Sequence, residues 1–204
     1  MARRGSYAKG IARREEILDS ALEVIGRDGY QNASLRGIAT EVGVTPAALL
    51  HYFGTKEELF TAVLRRRDER DGLRAEDGSD DARAGFIRAI RHNTEVPGLV
   101  ELFSRLAVDA VDPEHPAHDY FLERNARLRA LMSAAVPSAS GAALDPETLA
   151  RVIQAVSDGL QLQWMIEPEV DMAGIIDRLI TVLERAGQTS PGDESPDAVR
   201  TGTS

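Results

Sequence analysis

Apolar residues along the chain recur at three- and four-residue spacing, and no stretch alternates apolar with polar positions as a half-buried strand would. Ile17, Leu18, Ala21, Leu22 and Ile25 share one face of a first helix that ends near Gly26 to Gly29. Ser34 can cap a short second helix carrying Leu35, Ile38, Ala39 and Val42, and Gly43 breaks it. Thr45 followed by Pro46 is a two-part start for a third helix: a capping hydroxyl, then a ring whose φ is already helical. That helix runs to about Phe53. After Gly54 and Thr55 a fourth begins near Lys56, with Leu59, Phe60, Val63 and Leu64 on one face. The polar stretch from Gly72 to Asp80 reads as a domain boundary. Five more helices are expected at about 81–94, 97–111, 117–136, 146–166 and 171–185. Pro97, Pro113, Pro116, Pro137, Pro146 and Pro168 fall at or near their ends. The pattern predicts an all-α fold: a three-helix head over 15–71 with its connecting helix, and a larger helical body over 80–187. Residues 188–204 are polar and Gly/Pro-rich, and a disordered tail is expected there.

The net charge of −9 is unevenly distributed. Residues 1–70 hold 12 Lys and Arg against 10 Asp and Glu, whereas residues 71–204 hold 12 against 23. The body is acidic and the head mildly basic. Residues 1–14 carry Arg3, Arg4, Lys9, Arg13 and Arg14 with no acid, which marks a basic N-terminal arm. The chain has no cysteine, so disulfides and thiolate metal sites are excluded. Neither a signal peptide nor a membrane span is read, and a cytoplasmic protein is expected.

Function is concentrated between Ser34 and Leu59. Two short helices joined at Val42-Gly43-Val44 have the length and turn glycine of a helix-turn-helix. Ala39 lets the helices cross closely, and Gly43 can take the positive φ of a tight turn. The major groove of DNA admits one α-helix, whose N-terminal residues meet base edges. By spacing alone, any two short helices with a glycine turn fit as well.

The same segment resembles the tetracycline-repressor-like (TetR) family. The points of match are Ile38-Ala39, Gly43-Val44, Leu49, His51-Tyr52-Phe53 and Lys56-Glu57-Glu58-Leu59, together with the preceding helix and Tyr30. The resemblance implies a homodimeric repressor released from a palindromic operator by a small molecule. It places Thr45, Pro46, Ala47 and His51 toward bases, Tyr52 and Lys56 toward phosphates, and Arg36 of the second helix toward a guanine. Ser34 joins this set at the mouth of the second helix. Leu50 and Ala47 depart from the family's frequent tyrosine and glycine, which bears on the operator sequence. The third helix has no Arg, Lys, Asn or Gln, leaving Arg36 the strongest donor nearby.

The body carries two apolar stripes near its end. Val152, Ala155, Val156, Gly159 and Leu160 lie on one helix; Ile176, Leu179, Ile180 and Leu183 lie on the other. The resemblance makes these two helices the dimer interface. A ligand pocket is expected between body helices, with Phe86, His92, Phe103, Tyr120, Phe121, Asn125 and Trp164 as candidate lining residues. His115 and His118 flank Pro116 in a loop, a weak pattern for metal, and no metal or cofactor is expected. The chain has no P-loop, G-x-G-x-x-G, H-E-x-x-H or G-x-S-x-G pattern, so no enzyme is expected. The rival reading is a helical small-molecule-binding or carrier protein with a vestigial head. Expected partners are double-stranded operator DNA, a second copy of the chain and an unidentified small-molecule effector, with no membrane.

Overall fold

The computed structural model describes residues 2–31, 33–70, 82–135 and 144–188. The expected boundary at Gly72 to Asp80 and the tail from 189 lie outside them. Among the described residues there are nine α-helices and no strand, as the spacing predicts: α1 (Ala2–Asp28), α2 (Leu35–Val42), α3 (Pro46–Phe53), α4 (Lys56–Arg70), α5 (Ala82–Asn93), α6 (Pro97–Asp109), α7 (His118–Ala135), α8 (Pro146–Ile166) and α9 (Met172–Gln188). None of the described helices is long and apolar enough to cross a membrane.

The helix starts follow from local chemistry. Ser34 Oγ accepts the Gly37 N–H, Thr45 Oγ1 the Ala48 N–H and Asp145 Oδ1 the Thr148 N–H, each satisfying a donor the first turn leaves unpaired. Pro46, Pro97 and Pro146 each occupy the first helical turn, where no N–H is needed. Gly43 has φ 72° and sends its N–H back to Ala39 and Thr40, closing α2 by the left-handed geometry a side chain would resist. Thr55 and Glu58 form a reciprocal box at α4. The Thr55 hydroxyl accepts the Glu58 N–H at 3.0 Å, and Glu58 accepts the Thr55 N–H at 2.7 Å.

The arm expected at 1–14 is helical from Ala2 and continuous with α1. Two of its cations have structural partners. Arg13 donates to the Val42 carbonyl at 2.8 Å, at the negative end of α2, and the Arg14 guanidinium lies 4.6 Å above the Phe53 ring.

Hydrophobic packing crosses the expected domain boundary. Ile17, Ile25, Ile38, Leu49, Leu59 and Phe60 of the head share one core with Leu99, Leu102 and Leu106 of α6 and Tyr120 and Phe121 of α7. The reason is that α6 lies against α1 at a glycine. A Cβ on Gly98 would sit 2.2 Å from the Ile25 carbonyl oxygen and 2.7 Å from Gly29 Cα. The second core belongs to the body: Ile87, Ile90, Val100, Leu128, Ile153, Leu160, Trp164, Ile176 and Ile180.

Candidate DNA interface and its coupling to the body

The head presents one continuous face. Leu49 and Phe53 turn α3 into the core, which leaves Thr45, Pro46, Ala47, His51 and Tyr52 exposed. Ser34 and Arg36 are exposed on the neighbouring α2, and the Arg36 guanidinium has no partner among the described residues. Lys56 is half-buried at the start of α4. Its Nζ lies 5.2 Å from the Phe60 ring centroid and 6.0 Å from that of Tyr30, two rings packed edge-on. Seven of the eight candidates are therefore exposed and Lys56 is half-buried, and α3's N-terminal turn is left open as insertion into a groove requires.

Arg65, Arg66 and Arg67 follow one another along α4 but reach partners on three different helices. Arg66 makes a two-pronged bond to Asp19 of α1, at 2.8 and 3.0 Å, and holds that carboxylate below its usual pKa range. Arg65 pairs with Glu123 of α7 at 2.7 Å. Arg67 donates to the Asn93 side chain of α5. Next along α4, Asp68 is 12% exposed and accepts the Tyr120 hydroxyl at 3.0 Å, with Arg124 at 3.3 Å and Arg127 at 3.6 Å. The last turns of α4 thus bind the head's first helix and two body helices at once. A relay continues inward: Asn93 donates to Gln161 at 3.3 Å, and Gln161 donates to Ser104 of α6 at 3.0 Å.

The expected ligand-lining residues lie in several different surroundings. Phe103, Tyr120 and Phe121 pack on one another at 5.0–5.1 Å in the core shared with the head. Phe86 belongs to the second core, and His92 pairs with Glu95 at 2.8 Å at the surface. Asn125 accepts the Gln154 amide at 2.8 Å. Of the seven, only Trp164 lines the groove of about 1000 Å³ that runs between α6, the end of α8 and the turn after α1.

The polar interior was hidden by its surroundings. Gln154 and Gln161 sit among Ala150, Ile153, Leu160 and Trp164, and two glutamines seven residues apart on a helix of apolar spacing are the signal that marks them. Asp158 lies between them. Its carboxyl is open to solvent on one side, yet the dense protein around it withholds enough hydration to raise its pKa, partly offset by Arg124 and the Gln154 bond. A carboxyl that holds its proton more tightly folded than unfolded lowers stability as pH rises through its titration. Asp158→Asn is therefore expected to raise the melting temperature at about pH 7 and to change little at about pH 4, near the ordinary carboxyl value. Equal gains at both pH values would refute the desolvation account.

The dimer candidates divide by face. Leu160, Ile176 and Ile180 are buried within their own subunit, packed in the second core, so their side chains are not free to meet a partner. Val156, Leu179 and Leu183 are half-buried. The outward stripe of α8 is Val152, Ala155, Gly159, Leu162 and Ile166, spaced three and four apart, with Ile166 80% and Leu162 52% exposed. Val182 of α9 is 62% exposed. Leu162, Ile166 and Val182 lie outside the expected set, although the heptad-like spacing from Val152 points to the first two.

His115 lies in the loop as expected, whereas His118 opens α7, and both serve the backbone: His118 Nδ1 is 2.8 Å from the Ala110 carbonyl, and His115 Nδ1 accepts the Ala117 N–H at 3.2 Å.

Residues 17–63 match the family model described as bacterial regulatory proteins, tetR family. The chain is 27% identical over 173 residues to the HTH-type nicotine-responsive transcriptional repressor HdnoR of Paenarthrobacter nicotinovorans, a match covering 78% of this chain and 86% of that one. It is 43% identical over 53 residues to the HTH-type transcriptional regulator BetI of Brucella anthropi, covering 26% of this chain and 27% of that one. The crystal structure of a TetR transcription regulator from Haloarcula marismortui shares the fold, with a TM-score of 0.67 at 19% identity over 86% of this chain and 97% of that one. Residues 17–63 thus carry the head of the tetR family of bacterial regulatory proteins, and the chain is a DNA-binding transcriptional regulator.

Proposed function

We propose that the chain is a dimeric, cytoplasmic repressor that binds a palindromic operator through α2 and α3 and leaves it when a small molecule binds the body. The observation that carries this reading is the capped, outward-facing start of α3: Thr45, Pro46, Ala47 and His51 stand exposed on a helix whose other face is locked into the core. The outward stripe of α8, with Val182 of α9, supports a two-fold partner contact, which a palindrome needs. The nicotine-responsive relative supports a small-molecule effector.

In this reading Arg36 reads a base and Lys56 grips a phosphate. Lys56 opens α4, where the remaining free N–H groups also favour an anion. Arg36→Ala is expected to lose roughly 1–3 kcal/mol, chiefly on operators carrying the contacted guanine. Lys56→Ala is expected to weaken operator and scrambled DNA alike and to flatten the salt dependence by about one counterion per half-site. Binding isotherms on both DNAs at several salt concentrations separate the two roles. Equal losses for Arg36→Ala on operator and scrambled DNA would make it a phosphate clamp. No binding by the native chain to any DNA would return the molecule to a carrier with an inactive head.

A further inference from the structure

The groove at the joint of head and body has the lining of a site and the position of a lever. Its volume, about 1000 Å³, is at the upper end of small-molecule pockets, roughly 300–1,000 Å³. One end is formed by Gly29 and Tyr30, which close α1 immediately before the DNA-binding helices. One wall is a full face of α6 from Pro97 to Asp109. The other is the end of α8, with Trp164 and Met165.

Most of this surface is apolar, but its charges are unbalanced. Arg105 is held by Glu101 at 2.8 Å, and Glu101 also accepts the Gln31 amide at 2.8 Å. That leaves Asp109, exposed and without an ion pair among the described residues. It stands at the C-terminal end of α6, where the helix carbonyls already carry partial negative charge and no basic residue occupies the last turn. The end of α8 likewise has no basic residue in its last turn. An apolar floor beside an uncompensated carboxylate and a helix C-terminus suits a hydrophobic organic cation.

Two devices connect the groove to the head. The first is the Gly98 contact, where α6 meets α1 backbone to backbone with no room for one methyl. A molecule wedged between α6 and α8 cannot push α6 further into α1, so α6 must pivot about that contact and carry the turn before α2 with it. The second is Ser104, which lines the groove and begins the relay through Gln161 and Asn93 to Arg67 of the connecting helix.

We propose that this groove is a regulatory site for a hydrophobic organic cation, and that filling it moves the head against the body. The proposal rests on the effector reading above and adds the place and the chemical class. Trp164 is the only tryptophan and lines the groove, so its fluorescence reports occupancy directly. The probes are three small aromatics that share a trimethyl-substituted head and differ in charge: phenyltrimethylammonium, para-tert-butylphenol and para-tert-butylbenzoate, each titrated to millimolar concentration into the full-length protein. The expected result is a saturable Trp164 change, tightest for the cation and weakest for the carboxylate. Asp109→Asn is expected to weaken the cation roughly two- to fivefold while leaving the phenol unchanged. Val108→Arg, on the exposed lip, is expected to abolish the response while solution mass and operator binding stay native.

A response equal for all three charges, or one that survives Val108→Arg, overturns the assignment of class or place. No Trp164 change with any probe overturns the groove as a site. A saturable change that leaves operator affinity untouched keeps the groove as a binding site and overturns the effector reading instead.

Discussion

Gly159→Arg is expected to convert the protein to monomers that still fold. A Cβ at Gly159 meets nothing within 4 Å, so the subunit itself has room for the new side chain. The position lies in the middle of the outward stripe Val152, Ala155, Gly159, Leu162 and Ile166, where a partner helix would approach closely. An unpaired charge buried there costs roughly 3–5 kcal/mol, which raises the dimer dissociation constant by about two to four orders of magnitude. Light scattering is expected to report the monomer mass with helical content unchanged. Operator affinity would fall with it, because each head would bind its half-site alone. A native dimer mass would move the contact to another face. Gly159→Ala is the control: it should keep the dimer and gain roughly 0.5–1 kcal/mol from helix propensity.

Gly98→Ala is expected to be costly although it adds one methyl. Both atoms it meets, the Ile25 carbonyl oxygen at 2.2 Å and Gly29 Cα at 2.7 Å, are backbone, so no side chain can swing aside. Overpacking of this kind costs about 1–3 kcal/mol where neighbours can relax. Here α6 must back away from α1, and about 3 kcal/mol is expected. For a chain of this size that is a fall in Tm of roughly 6–12 °C, compared at equal protein concentration. Operator binding should change more than the stability loss explains, because the turn before α2 moves with the joint. A melting temperature and operator affinity both equal to the native values would mean that α6 does not bear on α1.

The parts legible in the sequence were those decided locally. Ser34, Thr45 with Pro46, and Gly43 act within four residues of their own positions, and the head helices begin and end where those signals put them. The all-α architecture followed from spacing for the same reason. What depends on distant partners was not legible. Arg13 and Arg14 read as members of a basic arm, but Arg13 meets a carbonyl 29 residues on, and Arg14 meets Phe53. The arginines at 65–67 carry no local sign of their roles, because their acceptors lie on α1, α5 and α7. In α8, apolar residues on both flanks conceal which face is inward: Leu160 is core, while Leu162 and Ile166 are exposed. Gly98 carried no signal at all, since its constraint is a backbone contact made by an element some seventy residues earlier.

The central claim, that the outward face around Thr45 reads DNA in a sequence-dependent way, is tested most directly by selecting bound duplexes from a random pool and footprinting the winners. The account predicts an inverted repeat whose half-sites lie one helical turn apart or a multiple of it, as a two-fold protein on B-DNA requires. Protection should fall on one face of the duplex. A double substitution of Thr45 and His51 to Ala should flatten the base preference within each half-site while leaving salt-dependent background binding. A selected pool without any repeat, or a preference that persists in the double variant, would contradict it.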